Sequence, residues 1–236
     1  TNRLLAPMAK SVLAGFPSAF RDDIEFEVIG NPVREALVEA AAAAQYNYNG
    51  ERPLRLLVLG GSLGAKPIND ALPGVVRRLL RGRRVDPTEV WHQTGDAHAQ
   101  TVIKSYGDLI SDTVRVVPFI EDMAAAYAWA DVVICRAGAL TVSELAVMGR
   151  PSVLVPLPHA IDDHQTANAR SLADRGGAIL LPQSDMTEDA LIIALRAYID
   201  HPERLRTMAE AARKAAAPEA TQQVADEVEA LIDAAR

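Results

Sequence analysis

Short apolar runs and amphipathic stretches alternate along most of this chain, and that alternation predicts its elements. Residues 54–59, 132–135 and 152–156 are dominated by Leu, Val and Ile, the pattern of strands buried on both faces of a parallel sheet. Residues 89–93, 114–119 and 178–181 read as further strands. Helical stretches separate them: 66–80, with Pro73 as a candidate kink, then 96–105, 120–129, 139–148 and a helix from near His164 to Arg175-Gly176-Gly177. Three more helices follow, near 187–199, 202–216 and 220–235, with Pro202 and Pro218 close to first turns. Strict strand–helix alternation indicates fold class α/β, a doubly wound, Rossmann-like parallel sheet flanked by helices.

The beginning of the chain follows another pattern. Leu4, Met8, Val12 and Phe16 repeat at helical spacing, which predicts an amphipathic helix over 3–16 with no obvious partner surface. Residues 26–29 read as a short strand, Gly30-Asn31-Pro32 breaks it, and 33–44 is an Ala-rich helix leading to a polar, linker-like loop at 45–53. Thr1 opens the chain without an initiator methionine, so upstream sequence is expected.

Composition narrows the class. With 236 residues, 49% of them hydrophobic, the chain can bury a full core, as one large domain or one domain plus pieces of another. Lys+Arg 24 against Asp+Glu 31 argues against a nucleic-acid partner. Arg77, Arg78, Arg81, Arg83 and Arg84 form a local basic cluster, which fits either a surface for phosphates or anionic lipid or a solvated helix end. One cysteine excludes an internal disulfide, and the sequence has no run of about 18 apolar residues.

Candidate chemistry gathers at two glycine turns. Gly60-Gly61-Ser62-Leu63-Gly64-Ala65 joins a strand to a helix, where backbone N–H groups can approach an anion; it is neither a Walker A loop nor a G-x-G-x-x-G fingerprint, and a plain packing turn fits it equally. Gly138 makes the second turn, ahead of a helix whose first two turns carry Thr141, Ser143 and Glu144. Glu144 is placed to accept two hydrogen bonds from a ribose diol, or to complement the helix dipole. His159, Asp162, Asp163 and His164 form a candidate metal cluster without compact ligand spacing, and Asp162 or Asp163 serves more simply as an N-cap. Gln165 can donate to or accept from a sugar hydroxyl, or face solvent. No nucleophile elbow is present; Cys135, Trp91 and Trp129 read as packing residues.

Five motifs together resemble the bacterial MurG family of glycosyltransferases: Gly30-Asn31-Pro32-Val33-Arg34, Gly60 to Ala65, Phe119-Ile120-Glu121-Asp122-Met123, Arg136 to Glu144, and Asp163-His164-Gln165 running to Asn168-Ala169. The resemblance implies a GT-B, inverting hexosyltransferase of peptidoglycan synthesis. Such an enzyme moves N-acetylglucosamine from UDP-N-acetylglucosamine to an undecaprenyl-linked muramyl-pentapeptide. It works at the cytoplasmic face of the inner membrane, with peripheral membrane contact and without metal or cofactor. It further implies that residues 1–31 are the last helix and strand of an N-terminal acceptor domain, 32–218 the donor-binding domain, and 219–236 a helix returning to the acceptor domain. By motif, Arg34 and Ser62 would meet the diphosphate beside the Gly60, Gly61 and Gly64 loop, and Ile120 the uracil through its backbone. Ala139, Leu140, Thr141, Val142 and Ser143 would line the phosphate and sugar region, Glu144 would hold the ribose and Gln165 the N-acetylglucosamine. The family's N-terminal glycine-rich loop and catalytic histidine have no counterpart in these residues, so no catalytic residue is assigned and donor binding without turnover is expected. A lipid galactosyltransferase and a non-catalytic nucleotide-sugar-binding subunit are the other readings.

Overall fold

The computed structural model describes residues 5–17, 19–20, 24–61, 64–81, 88–158, 163–234 and 236. Six strands form one sheet, β3 (Leu54–Leu59), β4 (Thr88–Gln93), β5 (Val114–Val117), β6 (Val132–Cys135), β7 (Ser152–Leu154) and β8 (Ala178–Leu180), every neighbouring pair parallel. Its order, β5-β4-β3-β6-β7-β8, is that of a Rossmann fold, with the direction of winding reversing between β3 and β6. The two-residue period of a strand explains how β3 serves both faces. Leu54, Leu56 and Val58 enter one core and Leu57 and Leu59 the other.

On the first face lie α2 (Lys66–Leu80), α3 (Ala99–Tyr106) and α7 (Glu188–Asp200), contributing Ile68, Leu72, Val102, Tyr106, Leu191 and Leu195. The second is covered by α1 (Glu35–Ala43), α4 (Met123–Trp129), α5 (Ala139–Met148) and α6 (His164–Ala173), through Leu37, Tyr127, Leu145 and Leu172. Helices α8 (Pro202–Lys214) and α9 (Ala220–Asp233) complete the chain. Pro73 does not interrupt α2, where it is buried. Gly149 ends α5 in the left-handed conformation, with the N–H groups of Gly149 and Arg150 returning to Ala146 and Leu145, so the glycine that the sequence offers as a stop performs that role.

The predicted helix over 3–16 does not run through the described residues 6–16. Residues 6–8 make a single 3-10 turn and Leu13–Ala14 is a strand, β1, paired in parallel with β2 (Glu27–Val28) apart from the main sheet. Met8, a member of the supposed apolar stripe, is 83% exposed, and Leu4 lies outside the described residues. In the basic cluster, Arg77 pairs with Asp108 and Arg78 with Asp189, while Arg83 and Arg84 lie outside the described residues. Trp91 and Trp129 meet edge to face at 5.8 Å, with the Arg115 guanidinium 4.3 Å above the Trp91 ring.

Candidate functional site

In open α/β sheets the crevice for ligands lies beyond the carboxyl ends of the strands, at the point where winding reverses. In this sheet that point is between β3 and β6, and a cavity of about 300 Å³ opens there. Both glycine turns reach it: Gly60 and Gly61 follow β3 directly, and Arg136 leads from β6 toward Gly138. A larger cleft of about 420 Å³ lies between Gly15, Asn31, the far side of α5 and residues 215–223. Its position at the switch point makes the smaller one the candidate site.

Helix α5 supplies the first anchor. Gly138 occupies its N-cap without a side-chain cap, and the first helical N–H taken up is that of Val142, by the Gly138 carbonyl at 3.0 Å. The N–H groups of Ala139, Leu140 and Thr141 therefore stand at a positive helix end, where an anion is favoured. Glu144, one turn further, faces the cavity with its side chain 15% exposed. Both of its oxygens are engaged: Tyr127 donates its hydroxyl to one at 3.0 Å, and Arg34, at the N-cap of α1, donates to the other at 3.1 Å. Burial first, and the neighbouring Glu144 carboxylate second, hold the Tyr127 phenol well above its ordinary pKa, so it remains a donor. Burial and Glu144 likewise push the Cys135 thiol up to about 12, which removes it as a nucleophile.

The second anchor is the turn after β3. Gly60 continues the ladder by donating to the Gln93 carbonyl at 2.8 Å, and Gly61 then turns at φ +73°. A Cβ at Gly64 would stand 2.7 Å from the Thr94 carbonyl and one at Gly95 2.7 Å from the Gly64 nitrogen, so two loops touch backbone to backbone. Below them is a buried polar chain. Asn69 donates to the Thr94 carbonyl at 2.9 Å, which leaves its oxygen to accept from His92 Nε2 at 3.0 Å; His92 Nδ1 then accepts the Tyr106 hydroxyl at 2.9 Å.

At the third wall, Ile120 is buried by its side chain, and among the described residues no hydrogen bond takes up its backbone N–H or C=O. Asp122 caps α4 by accepting from the Ala125 N–H at 2.8 Å. Helix α4 thus begins at Met123, not at Ile120, and leaves Phe119 and Ile120 outside the helix beside the cavity.

Arg34, Gly60, Gly61, Ile120, Thr141 and Glu144 are thereby brought to one cavity. Leu140, 59% exposed, and Ala139 sit in the first turn of α5 beside it. Val142 and Ser143 face the other cleft, where Asn31 donates to the Ser143 hydroxyl at 3.0 Å. Gly64 lies behind the turn, against Thr94 and His98. Gln165 has its amide oxygen occupied by the Leu157 N–H at 2.9 Å. Asp163 stands at the N-cap of α6 with φ 51°, but accepts from the Thr166 hydroxyl and not from a backbone N–H. Ser62, His159 and Asp162 lie outside the described residues. Among the described residues no group of three or more His, Cys, Asp or Glu could hold a metal ion. Two site residues escaped the sequence reading. Tyr127 gives no signal beyond an aromatic in an Ala-rich helix, whereas Gln93 was detectable as an amide at the end of a strand beside a glycine turn.

The six-stranded, doubly wound parallel sheet has the Rossmann-like architecture of the C-terminal half of a GT-B glycosyltransferase. The chain belongs to the glycosyltransferase family 28 C-terminal domain family, whose model matches residues 55–224. It is 49% identical over 228 residues to a UDP-N-acetylglucosamine–N-acetylmuramyl-(pentapeptide) pyrophosphoryl-undecaprenol N-acetylglucosamine transferase of Shewanella frigidimarina, covering 96% of this chain and 61% of that protein. The transferase of the same name from Tolumonas auensis is 46% identical, with coverage of 98% and 64%. The chain thus spans somewhat under two thirds of these relatives' length. Among solved structures, Acinetobacter baumannii MurG superposes with a TM-score of 0.80 at 39% identity, over 97% of this chain and 62% of that one. Glycosyltransferase VinC, in complex with DTDP, has a TM-score of 0.57 at 21% identity over 89% of this chain and 49% of its own, a likeness of fold alone.

Proposed function

We propose that this chain is the donor-binding part of a transferase that moves N-acetylglucosamine from UDP-N-acetylglucosamine to an undecaprenyl-linked muramyl-pentapeptide. The observation that carries this reading is the placement of Glu144, a carboxylate able to accept from a diol, one turn beyond the unpaired backbone N–H groups of Ala139, Leu140 and Thr141 and across the cavity from the glycine turn after β3. The printed function of relatives at 46–49% identity supports the choice of donor and acceptor. In this reading the diphosphate lies along Gly60, Gly61 and the N-terminus of α5, with Arg34 turning to it from Glu144. The uracil edge pairs with the backbone of Ile120, Glu144 takes the ribose, and Ser62, Ala139, Leu140, Thr141 and Gln165 serve as assigned by motif, whereas Val142 and Ser143, which face the other cleft, are left out of the donor site. Residues 1–31 and 219–236 belong with an acceptor domain that carries the catalytic base and touches the cytoplasmic face of the inner membrane.

Calorimetry on the 236-residue chain tests the donor side. UDP-N-acetylglucosamine should bind, and adenosine diphosphate sugars should bind at least about tenfold more weakly, because the wrong base leaves the Ile120 backbone unpaired. Equal affinity for the two bases would sink the reading. Tighter binding of UDP-galactose would redirect it to a galactosyltransferase.

A further inference from the structure

Gln93 is the last residue of β4, 4% exposed, and its amide is fully used. Its oxygen accepts from the Gly61 N–H at 2.9 Å, while its NH₂ donates to the Gly61 carbonyl at 3.0 Å and to the Pro118 carbonyl at 3.1 Å. The first two bonds imitate a peptide pairing with a glycine at φ +73°, so a side chain extends the sheet ladder where the backbone has turned away. The third reaches the segment that presents Ile120. One amide therefore ties the turn after β3 to the segment after β5, across the strand between them.

We propose that Gln93 is a positioning residue that fixes the spacing between the phosphate turn and the base-reading segment, and so sets the preference for a nucleoside diphosphate over its separate parts. This rests on the donor-side reading above. Touching no donor atom itself, Gln93 acts by holding two walls in register, and misplacement on the ångström scale is enough to lose about a hundredfold in binding or rate.

The test combines Gln93→Met, which keeps size and removes polarity, with Gln93→Glu, which can accept from Gly61 but, ionised, faces two carbonyl oxygens. At pH 7.5 both variants should bind UDP roughly 10- to 100-fold more weakly than wild type, while uridine affinity falls by less than about threefold. The Glu variant should recover as pH is lowered, relative to wild type at the same pH, because a protonated carboxyl again donates to a carbonyl while accepting from Gly61; the Met variant should not. Equal losses for UDP and uridine, or no pH recovery in the Glu variant, would overturn the proposal. If neither variant folds, backbone amide exchange in the wild-type chain decides: the Gly61 N–H should be strongly protected, and free exchange there would refute the tie. Failure of wild type to bind UDP would instead count against the donor-side reading.

Discussion

The two Glu144 oxygens are held by a buried phenol and by an arginine whose side chain is 60% exposed, so one partner is fixed and the other can leave. The exposed pair is weak in water, about 0–1 kcal/mol, and a ribose can replace it at small cost. Glu144→Ala should weaken UDP-N-acetylglucosamine roughly 10- to several-hundred-fold, the loss of two bonds to a charged acceptor. It should also cost about 1–3 kcal/mol of stability by orphaning the Tyr127 hydroxyl. Adding Tyr127→Phe should recover part of the stability and none of the affinity. Calorimetry with the 2′-deoxyribose form of the donor is the sharper measurement: wild type should prefer ribose and Glu144→Ala should not. A preference retained in the variant would mean that the diol is held elsewhere.

At the level of elements, the sequence was most legible where local chemistry and burial agree. β3, α2, β6 and α5 lie where periodicity placed them to the residue, because the strands are buried on both faces and glycines mark the turns around them. The N-terminal segment was misread because helical spacing at Met8, Val12 and Phe16 is local, whereas the pairing of Leu13–Ala14 with Glu27–Val28 is not. Of the site, Arg34, the glycine turns, Ile120 and Glu144 were legible through motifs. The Gln93 tie was not, since it depends on two walls meeting across a strand. Contact between loops also separates two glycines that both have positive φ. At Gly95, with φ +79°, an added methyl group would stand 2.7 Å from the Gly64 backbone, while at Gly107, with φ +54°, it would meet nothing within 4 Å. Gly107→Ala should therefore cost only its backbone strain, about 1–3 kcal/mol, and leave donor binding unchanged. Gly95→Ala carries similar strain and adds the backbone clash, so it should cost more and weaken UDP by displacing the turn. Thermal unfolding and calorimetry on both variants check the contrast, and equal effects would deny the backbone contact its role.

For the whole molecule, the buried chain Tyr106–His92–Asn69–Thr94 links α3, β4 and α2 beneath the glycine turn after β3, and its hydrogen-bond pattern is that of a neutral imidazole. Burial lowers the His92 pKa to about 3. An unfolded chain takes up a proton at this residue near pH 6.5, and the folded chain only near 3, so protons favour the unfolded state throughout that window. The stability carried by neutral His92 is complete above about pH 6.5 and drains as pH falls, by roughly 2 kcal/mol at pH 5 and up to about 5 kcal/mol near pH 3. Against a total of about 5–15 kcal/mol for a domain, that is enough to bring on acid unfolding. His92→Gln removes the titration at the expense of the tight network. It should be less stable than wild type at pH 7.5 and yet lose less on going to pH 5. Urea unfolding at the two pH values measures the difference directly. A variant whose stability falls by the same roughly 2 kcal/mol as wild type would place the acid sensitivity in groups other than His92.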